Sequence, residues 1–172
     1  MRLFVSFDVP TEPLLKVQKK LFDGGLKITT QFHCTLKFLG RVDETLVPSL
    51  VERLRRVKIA SFRVHFDRIG AFPRETSPRV LWVGLKPEEP LLALHRQIED
   101  VFDGLFERDE RFMPHVALAR VKFLKDKSRF LRLFKELQVE PLEFSVNEFC
   151  LMKSELKRDG PVYSVMERFV LD

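Results

Sequence analysis

The chain has 172 residues, of which 45% are hydrophobic and 32% are charged, and its formal net charge is +5. This length and composition allow one domain with a sizeable core, and the mildly basic balance permits a polyanionic partner without identifying one. No stretch has the apolar length of a transmembrane helix, and Asp8 stands too early for a secretory signal peptide. We therefore expect a cytoplasmic protein with no membrane partner.

The first half of the chain alternates strand and helix patterns. In chain order these patterns predict a strand at 2–9, a helix from about Thr11 to Phe22, a short strand near 26–29, a strand from His33 to Gly40, a helix at 46–57, and strands at 62–66 and 80–85. The segment 71–78 contains two prolines and charged residues, and it is predicted to be a surface loop beside a strand pair.

The second half continues in the same manner. Its patterns predict a helix at 91–106, a strand from His115, a helix at about 126–137, a strand at 142–152, a loop through Gly160 and Pro161, and a last strand at 162–171. Strands and helices in this order predict an α+β protein, with mostly antiparallel sheets and helices on the outer faces.

Two short strings in these halves match each other, H-C-T-L from His33 and H-V-A-L from His115. The offset of 82 residues between them also carries Val64 onto Val146 and Val80 onto Val162. A sustained offset of this kind indicates an internal repeat, here about 26–85 and 108–171. We expect a single two-lobed domain over 1–172, with the open faces of the lobes meeting at a cleft.

Each string places a histidine at the start of a predicted strand. Residues two apart share one face of a strand, so His33 lies beside Thr35 and His115 beside Ala117, while alternation assigns Phe38 to the buried face. Two imidazoles on opposite walls of a cleft can divide the base and acid roles of an in-line displacement at phosphorus. A hydroxyl beside the first of them could donate to a phosphate oxygen.

The other reactive or aromatic residues are interpreted as structural. Cys34 and Cys150 lie in apolar strand contexts and are expected to be reduced core thiols, and no cysteine–histidine cluster with metal spacing exists. The sequence therefore predicts neither a metal nor a cofactor. His95, inside a predicted helix, is expected to be ordinary, and Trp82 and Tyr163 are expected to be packing residues rather than platforms for a base.

The two histidine strings resemble the paired H-x-T-x motifs of the two-histidine phosphoesterase superfamily. The closest family is the RNA 2',3'-cyclic phosphodiesterases, also called 2'-5' RNA ligase-like proteins. The resemblance covers nearly the whole chain, because it includes the opening R-L-F-V-S-F from Arg2, the middle P-R-V-L-W-V-G-L from Pro78, and the late S-E-L from Ser154 with G-P-V-Y from Gly160.

The resemblance implies a bilobal fold with a metal-free site in its central cleft, acting on 2',3'-cyclic phosphates of RNA ends, such as tRNA fragments, or of nucleotides. We expect the protein to be a monomer. The product would be a 2'-phosphate. On this chain the resemblance makes His33 the proton donor to the departing ribose 3'-oxygen and His115 the acceptor that activates water. It assigns Thr35 and Arg120 to the phosphate, and Phe38 to the nucleobase.

Two features qualify this assignment. Ala117 stands where the family usually has threonine, so one hydroxyl donor is missing and we expect a slower reaction. Strict alternation also places Arg120 and Phe38 on the face opposite their histidines, so a bulge or the strand end must turn them into the cleft. Two alternatives remain open: ligation of a cyclic-phosphate end to a 5'-hydroxyl, and a non-catalytic module that binds RNA ends or nucleotides.

Overall fold

A computed structural model describes residues 1–21 and 24–172. In chain order its elements are β1 Arg2–Asp8, α1 Glu12–Gln18, β2 Leu26–Ile28, β3 His33–Arg41, a 3-10 turn Glu44–Leu46, α2 Val47–Leu54, β4 Phe62–Arg74, β5 Ser77–Lys86, α3 Glu88–Val101, β6 His115–Val121, α4 Lys127–Glu136, β7 Glu143–Val146, β8 Glu148–Lys157 and β9 Gly160–Val170. The predicted end of the first helix, near Phe22, lies outside the described residues.

Within the described ranges the strands form one antiparallel sheet in the order β7-β4-β5-β6-β3-β1-β8-β9, and β2 adds to β6. The main core lies between one face of this sheet and the helices. It contains Leu3 and Phe7 of β1 together with Leu14, Leu94 and Phe130 of three helices. The structure confirms an α+β fold with antiparallel strands and outer helices, and the opposite face of the sheet is left open.

The two central strands belong to different halves of the sheet. The strand that begins at His33, β3, pairs with β1 and is followed by the β8–β9 hairpin; we call these four strands the His33 half. The strand that begins at His115, β6, pairs with β5 and is followed by β4 and β7; these form the His115 half. The halves meet where Cys34 of β3 is paired with Val116 of β6.

Each half therefore combines strands from both predicted repeats. The His33 half takes its histidine strand from the first repeat, 26–85, and its outer hairpin from the second, 108–171. The His115 half takes β6 and β7 from the second repeat and the hairpin of β4 and β5 from the first. The repeat and its limits remain a prediction from the sequence, but the structure shows that neither stretch could form one half of the sheet by itself.

Two predicted loops are wrong, because both segments are the ends of long hairpins. β4 runs to Arg74 and β5 begins at Ser77, so most of 71–78 is strand. Its prolines, Pro73 and Pro78, are opposite each other beyond an irregularity in the register, where a missing N–H is tolerated. β9 already begins at Gly160, directly after the turn. Its φ of 129° is a backbone conformation that glycine adopts easily.

Candidate active site

The two predicted histidines occupy the same place on the two central strands. His33 is the first residue of β3 and His115 is the first residue of β6, and both are half-buried on the open face of the sheet. The register set by Cys34 and Val116 continues to bring Thr35 opposite His115. The structure thus brings both imidazoles and the threonine together where the two halves of the sheet meet.

Each histidine strand contains a bulge three residues after its histidine, and the two bulges are equivalent. β1 skips Leu36 in its pairing with β3, and β5 skips Leu118 in its pairing with β6. An extra residue reverses which face the following side chains occupy. Phe38 is consequently 75% exposed rather than buried as alternation predicted, and Arg120 is exposed as well. The bulges thus bring both side chains to the open face of the sheet.

Two aromatic rings frame each histidine. The ring of His33 lies 5.0 Å from that of Phe4 and 5.0 Å from that of Tyr163, which meets it edge to face. The ring of His115 lies 5.0 Å from that of Phe72, again edge to face, and 6.4 Å from that of Trp82. Trp82 is buried as predicted, but Tyr163 also contacts a histidine, and sequence reasoning missed Phe4 and Phe72.

The backbone two residues earlier acts on each imidazole. Nδ1 of His115 donates to the carbonyl oxygen of Met113 over 2.8 Å. The backbone of Gln31, the equivalent position, raises the pKa of His33. The side-chain oxygen of Gln31 in turn accepts from the backbone N–H of Tyr163 over 3.0 Å, which fixes this point to the β8–β9 hairpin. With Nδ1 occupied, the Nε2 atom of His115 is left for a substrate.

Burial lowers the pKa of both histidines below the ordinary value of 6.5. For His33, the carboxylate of Asp8 and the hydrogen bond with Gln31 raise the pKa against this main effect, while the charge of His115 lowers it further. For His115, the hydrogen bond to Met113 raises the pKa. Both imidazoles are thus tuned to lose protons readily, and a carboxylate favours the protonated form of His33.

A cavity of about 320 Å³ lies between the two halves of the sheet, and Thr35, Phe38, Phe72, Arg111, Met113 and His115 are among its lining residues. A larger cavity of about 470 Å³ lies at the end of α4 and contains neither histidine. We assign the site to the smaller cavity because the convergent titratable groups are beside it. His33 and Arg120 are not part of its lining; they lie further along the open face.

The remaining sequence-predicted residues occupy neighbouring positions on the open face. Arg120 is paired across the strands with Lys27 of β2, so two cations lie side by side. Ala117 is paired with Trp82. Its methyl group provides no donor, and the indole Nε1 of Trp82 is buried without a hydrogen-bond partner among the described residues.

Cysteine and metal chemistry receive no support from the described residues. Cys34 and Cys150 are both buried and unpaired, and burial raises the pKa of the first thiol to about 12 and of the second to about 11. Both are therefore thiols rather than thiolates at neutral pH. Over 1–21 and 24–172 no three histidine, cysteine or acidic side chains converge as a metal site. In the same ranges no helix is long and apolar enough to cross a membrane.

Comparison with known proteins places this geometry in context. A family model described as the 2'-5' RNA ligase superfamily matches residues 19–158. An RNA 2',3'-cyclic phosphodiesterase of Thermotoga maritima is 32% identical over 96% of this chain and 93% of its own length. A protein of the same name from Archaeoglobus fulgidus is 34% identical over 98% and 99%. The crystal structure of TT0787 of Thermus thermophilus matches with a TM-score of 0.78 and 34% identity, covering 99% of this chain and 97% of that one.

Proposed function

This chain belongs to the 2'-5' RNA ligase superfamily, and from that membership and the geometry of its cleft we propose that it hydrolyses RNA 2',3'-cyclic phosphates. Relatives that align with almost its entire length are named for that activity. The observation that carries the proposal is the pair of half-buried imidazoles, each at the start of a central strand and both on the open face of the sheet.

The proposed reaction is an in-line displacement in which the two histidines work on opposite sides of phosphorus. Nε2 of neutral His115 accepts a proton from water as the water oxygen forms a bond to phosphorus. The bond from phosphorus to the ribose 3'-oxygen breaks, and protonated His33 gives its proton to that oxygen. The product is a 2'-phosphate with a free 3'-hydroxyl, and the two histidines are left in exchanged protonation states, which solvent resets.

Four further residues receive roles in this proposal. Thr35 donates its hydroxyl to a nonbridging phosphate oxygen, and Arg120 neutralises the phosphate charge. Phe38, whose ring is mostly exposed at the edge of the cavity, flanks the nucleobase. Ala117 leaves the second motif without the hydroxyl that the family usually has there, so the site holds phosphate with one donor fewer.

The setting of the reaction is part of the same proposal. We propose a monomer that acts in the cytoplasm on cyclic-phosphate ends of RNA, such as tRNA fragments, with neither metal nor cofactor. The acid, the base and the positive charge needed for phosphate are all available as side chains on the open face of the sheet, which supports a mechanism without a metal ion. Two buried free thiols are compatible with a reducing compartment.

The test is turnover of 2',3'-cyclic AMP, followed by separation of the 2'- and 3'-phosphate products, with and without EDTA. We expect 2'-AMP in both conditions. His115→Ala should lower kcat by about 10²–10⁴-fold, as for loss of a general base. The control is His65→Ala, which removes a half-buried histidine of β4 and should leave kcat unchanged. Loss of turnover in EDTA would contradict the metal-free mechanism. Joined RNA halves would indicate ligation, and binding without turnover would indicate a non-catalytic module.

A further inference from the structure

Buried charged side chains that the proposed mechanism does not use lie behind β3. Lys37 and Glu99 of α3 are each 3% exposed, and Nζ of the lysine lies 2.8 and 2.9 Å from the two carboxylate oxygens. The same Nζ donates to the carbonyl oxygen of Glu107 over 2.8 Å. An ammonium has three N–H groups, so each of them has an acceptor here. The bulge at Leu36 places this lysine on the buried side of β3, where it forms the pair with Glu99.

His95 of α3 extends the group. Its Nδ1 lies 2.9 Å from the carbonyl oxygen of Leu36 in the bulge, and its Nε2 lies 3.0 Å from the carbonyl oxygen of Asp109. Its ring stacks on that of Phe112 at 4.1 Å. A carbonyl oxygen can only accept a hydrogen bond, so each ring nitrogen must donate one to its carbonyl oxygen. The carboxylate of Glu99, 3.7 Å away, is the counter-charge when both nitrogens carry protons.

These contacts converge on the segment 107–113, which leads from the end of α3 to His115. Lys37 and His95 hold its carbonyl oxygens at positions 107 and 109, and the stacked ring holds position 112. The other side of the segment lines the cleft through Asp109, Arg111, Phe112 and Met113. The carbonyl oxygen of Met113, two residues before His115, accepts the hydrogen bond from Nδ1 of His115.

We propose that Lys37, Glu99 and His95 form a positioning network that sets the placement of His115 relative to His33. At one end the network forms a hydrogen bond with the bulge at Leu36, in the strand that carries His33. At the other end it forms hydrogen bonds with the segment 107–113, which orients His115. The kinetic consequence rests on the proposed function, whereas the effect on the imidazole of His115 does not.

A purely structural role for the ion pair makes a different prediction. Replacing a buried ion pair with apolar side chains of similar volume often leaves stability unchanged or improved, whereas removing one partner leaves an unpaired buried charge. The double variant Lys37→Met/Glu99→Met keeps the volume filled but no longer holds the carbonyl of Glu107. If the pair only stabilises the fold, this variant retains full activity.

The experiment measures Tm, kcat and KM with 2',3'-cyclic AMP, and the NMR titration of the His115 imidazole. For the double variant we expect a cooperative unfolding transition, a kcat lowered by about 10- to 100-fold because small misplacements of catalytic groups are costly, and a KM close to wild type. The His115 titration should also change. The matched control is Arg108→Gln, which removes exposed ion pairs with Asp100 and Asp103 from the same segment and should leave all readouts unchanged.

A folded double variant with wild-type kcat and an unchanged His115 titration would overturn the proposal. If the double variant does not fold, His95→Gln keeps the Lys37–Glu99 pair but removes the bond to Asp109, and it must show the same losses. Wild-type behaviour of His95→Gln would then overturn the proposal. If wild-type protein does not turn over cyclic nucleotides, the proposed function fails, and the His115 titration still decides whether the network positions this imidazole.

Discussion

The two histidines are equivalent in strand position, but their charged neighbours differ. Asp8 is the cross-strand partner of His33, and its carboxylate raises the pKa of that imidazole. Among the described residues, no carboxylate acts in this way on His115. The asymmetry supports the proposed division in which His33 is the protonated acid and His115 the neutral base.

We expect the pH profile of kcat/KM to report this asymmetry. Burial lowers the pKa of both histidines, so the bell-shaped optimum should lie on the acidic side of 6.5. Asp8→Asn removes an influence that raises the pKa of His33, so protonated His33 is lost at lower pH and the basic limb should move to lower pH. The acidic limb, which reports His115, should stay. The control is Glu44→Gln, which removes an exposed carboxylate on the 3-10 turn and should move neither limb. If Asp8→Asn moves the acidic limb rather than the basic limb, the roles of the two histidines are the reverse of those proposed.

Ala117→Thr tests whether the second motif still holds phosphate. The side chain is half-buried on the open face, so a threonine there fits the strand and presents a hydroxyl beside His115. A new hydrogen bond to a charged phosphate oxygen should raise kcat by about 10-fold. The control is Ala119→Thr, where the methyl group is fully buried and a hydroxyl should only destabilise the protein. Turnover at equal folded concentration that is unchanged or lower would remove this role from the position.

At the scale of single residues, strand periodicity and the two matched histidine strings were enough to predict which residues of β3 and β6 lie on the open face near each histidine. His33, Thr35 and His115 meet in the structure as expected. Phe72 was missed, and the contact of Tyr163 with His33 was not predicted, because both depend on where the two outer hairpins lie in the sheet. Lys37 pairs with Glu99, 62 residues away, and no sequence pattern connects a strand lysine with a helix glutamate.

At the scale of elements, the hairpin of β4 and β5 does more than complete the sheet, because it carries Trp82 beside His115. Gly70 is the cross-strand partner of Trp82, and a Cβ atom added to this glycine would lie only 2.3 Å from Cζ2 of the indole. The glycine therefore permits the indole to pack flat against β4, where Arg68 lies 5.0 Å from its ring centroid.

Gly70→Ala should displace this indole. We expect a loss of about 1–3 kcal/mol in the free energy of unfolding from overpacking, together with a lower kcat. Gly40→Ala is the matched control: nothing lies within 4 Å of its added Cβ, but its φ of 72° is left-handed. That variant should lose about 1–2 kcal/mol without a change in kcat. Urea denaturation and turnover measure both; an unchanged kcat in Gly70→Ala would show that the indole does not support the site.

Element types were predictable where one face of an element is buried, because burial creates the periodicity. The helices and the inner parts of all long strands follow this rule. The hairpin ends at 71–78 and around Gly160 do not, since residues such as Val162 and Leu156 are exposed on the outer part of β8 and β9. Prolines, glycine and charged residues there are typical of loops, and the backbone pairing that makes them strands is not visible in side-chain patterning.

At the scale of the whole molecule, the exchange of strands between the predicted repeats makes each half of the sheet dependent on both. Strand β6 lies between β5 and β3, and β8 lies beside β1. A chain limited to residues 1–106 thus has no strand to connect the hairpin of β4 and β5 with the pair of β1 and β3. This arrangement favours one cooperative unit over 1–172.

Separation of the chain into fragments 1–106 and 107–172 tests that unit. We expect neither fragment alone to show a cooperative thermal transition by circular dichroism, because each would expose the strand edges that the other covers. An equimolar mixture should recover a transition, with the intact chain as reference. A cooperative transition in isolated 1–106 would show that this part of the chain is an independent domain.

The same exchange has a consequence for how fast the protein folds. Pairing of β1 with β8 brings Arg2 opposite Ser154, and the hydrogen bond between Gln31 and Tyr163 spans 132 residues. Long loops must therefore close before the central strands gain their neighbours, and folding rates fall as such distant contacts come to dominate. We expect refolding on the order of milliseconds to seconds, as in sheet proteins of high contact order. The cleft between the two histidines can form only late, when both ends of the chain have met.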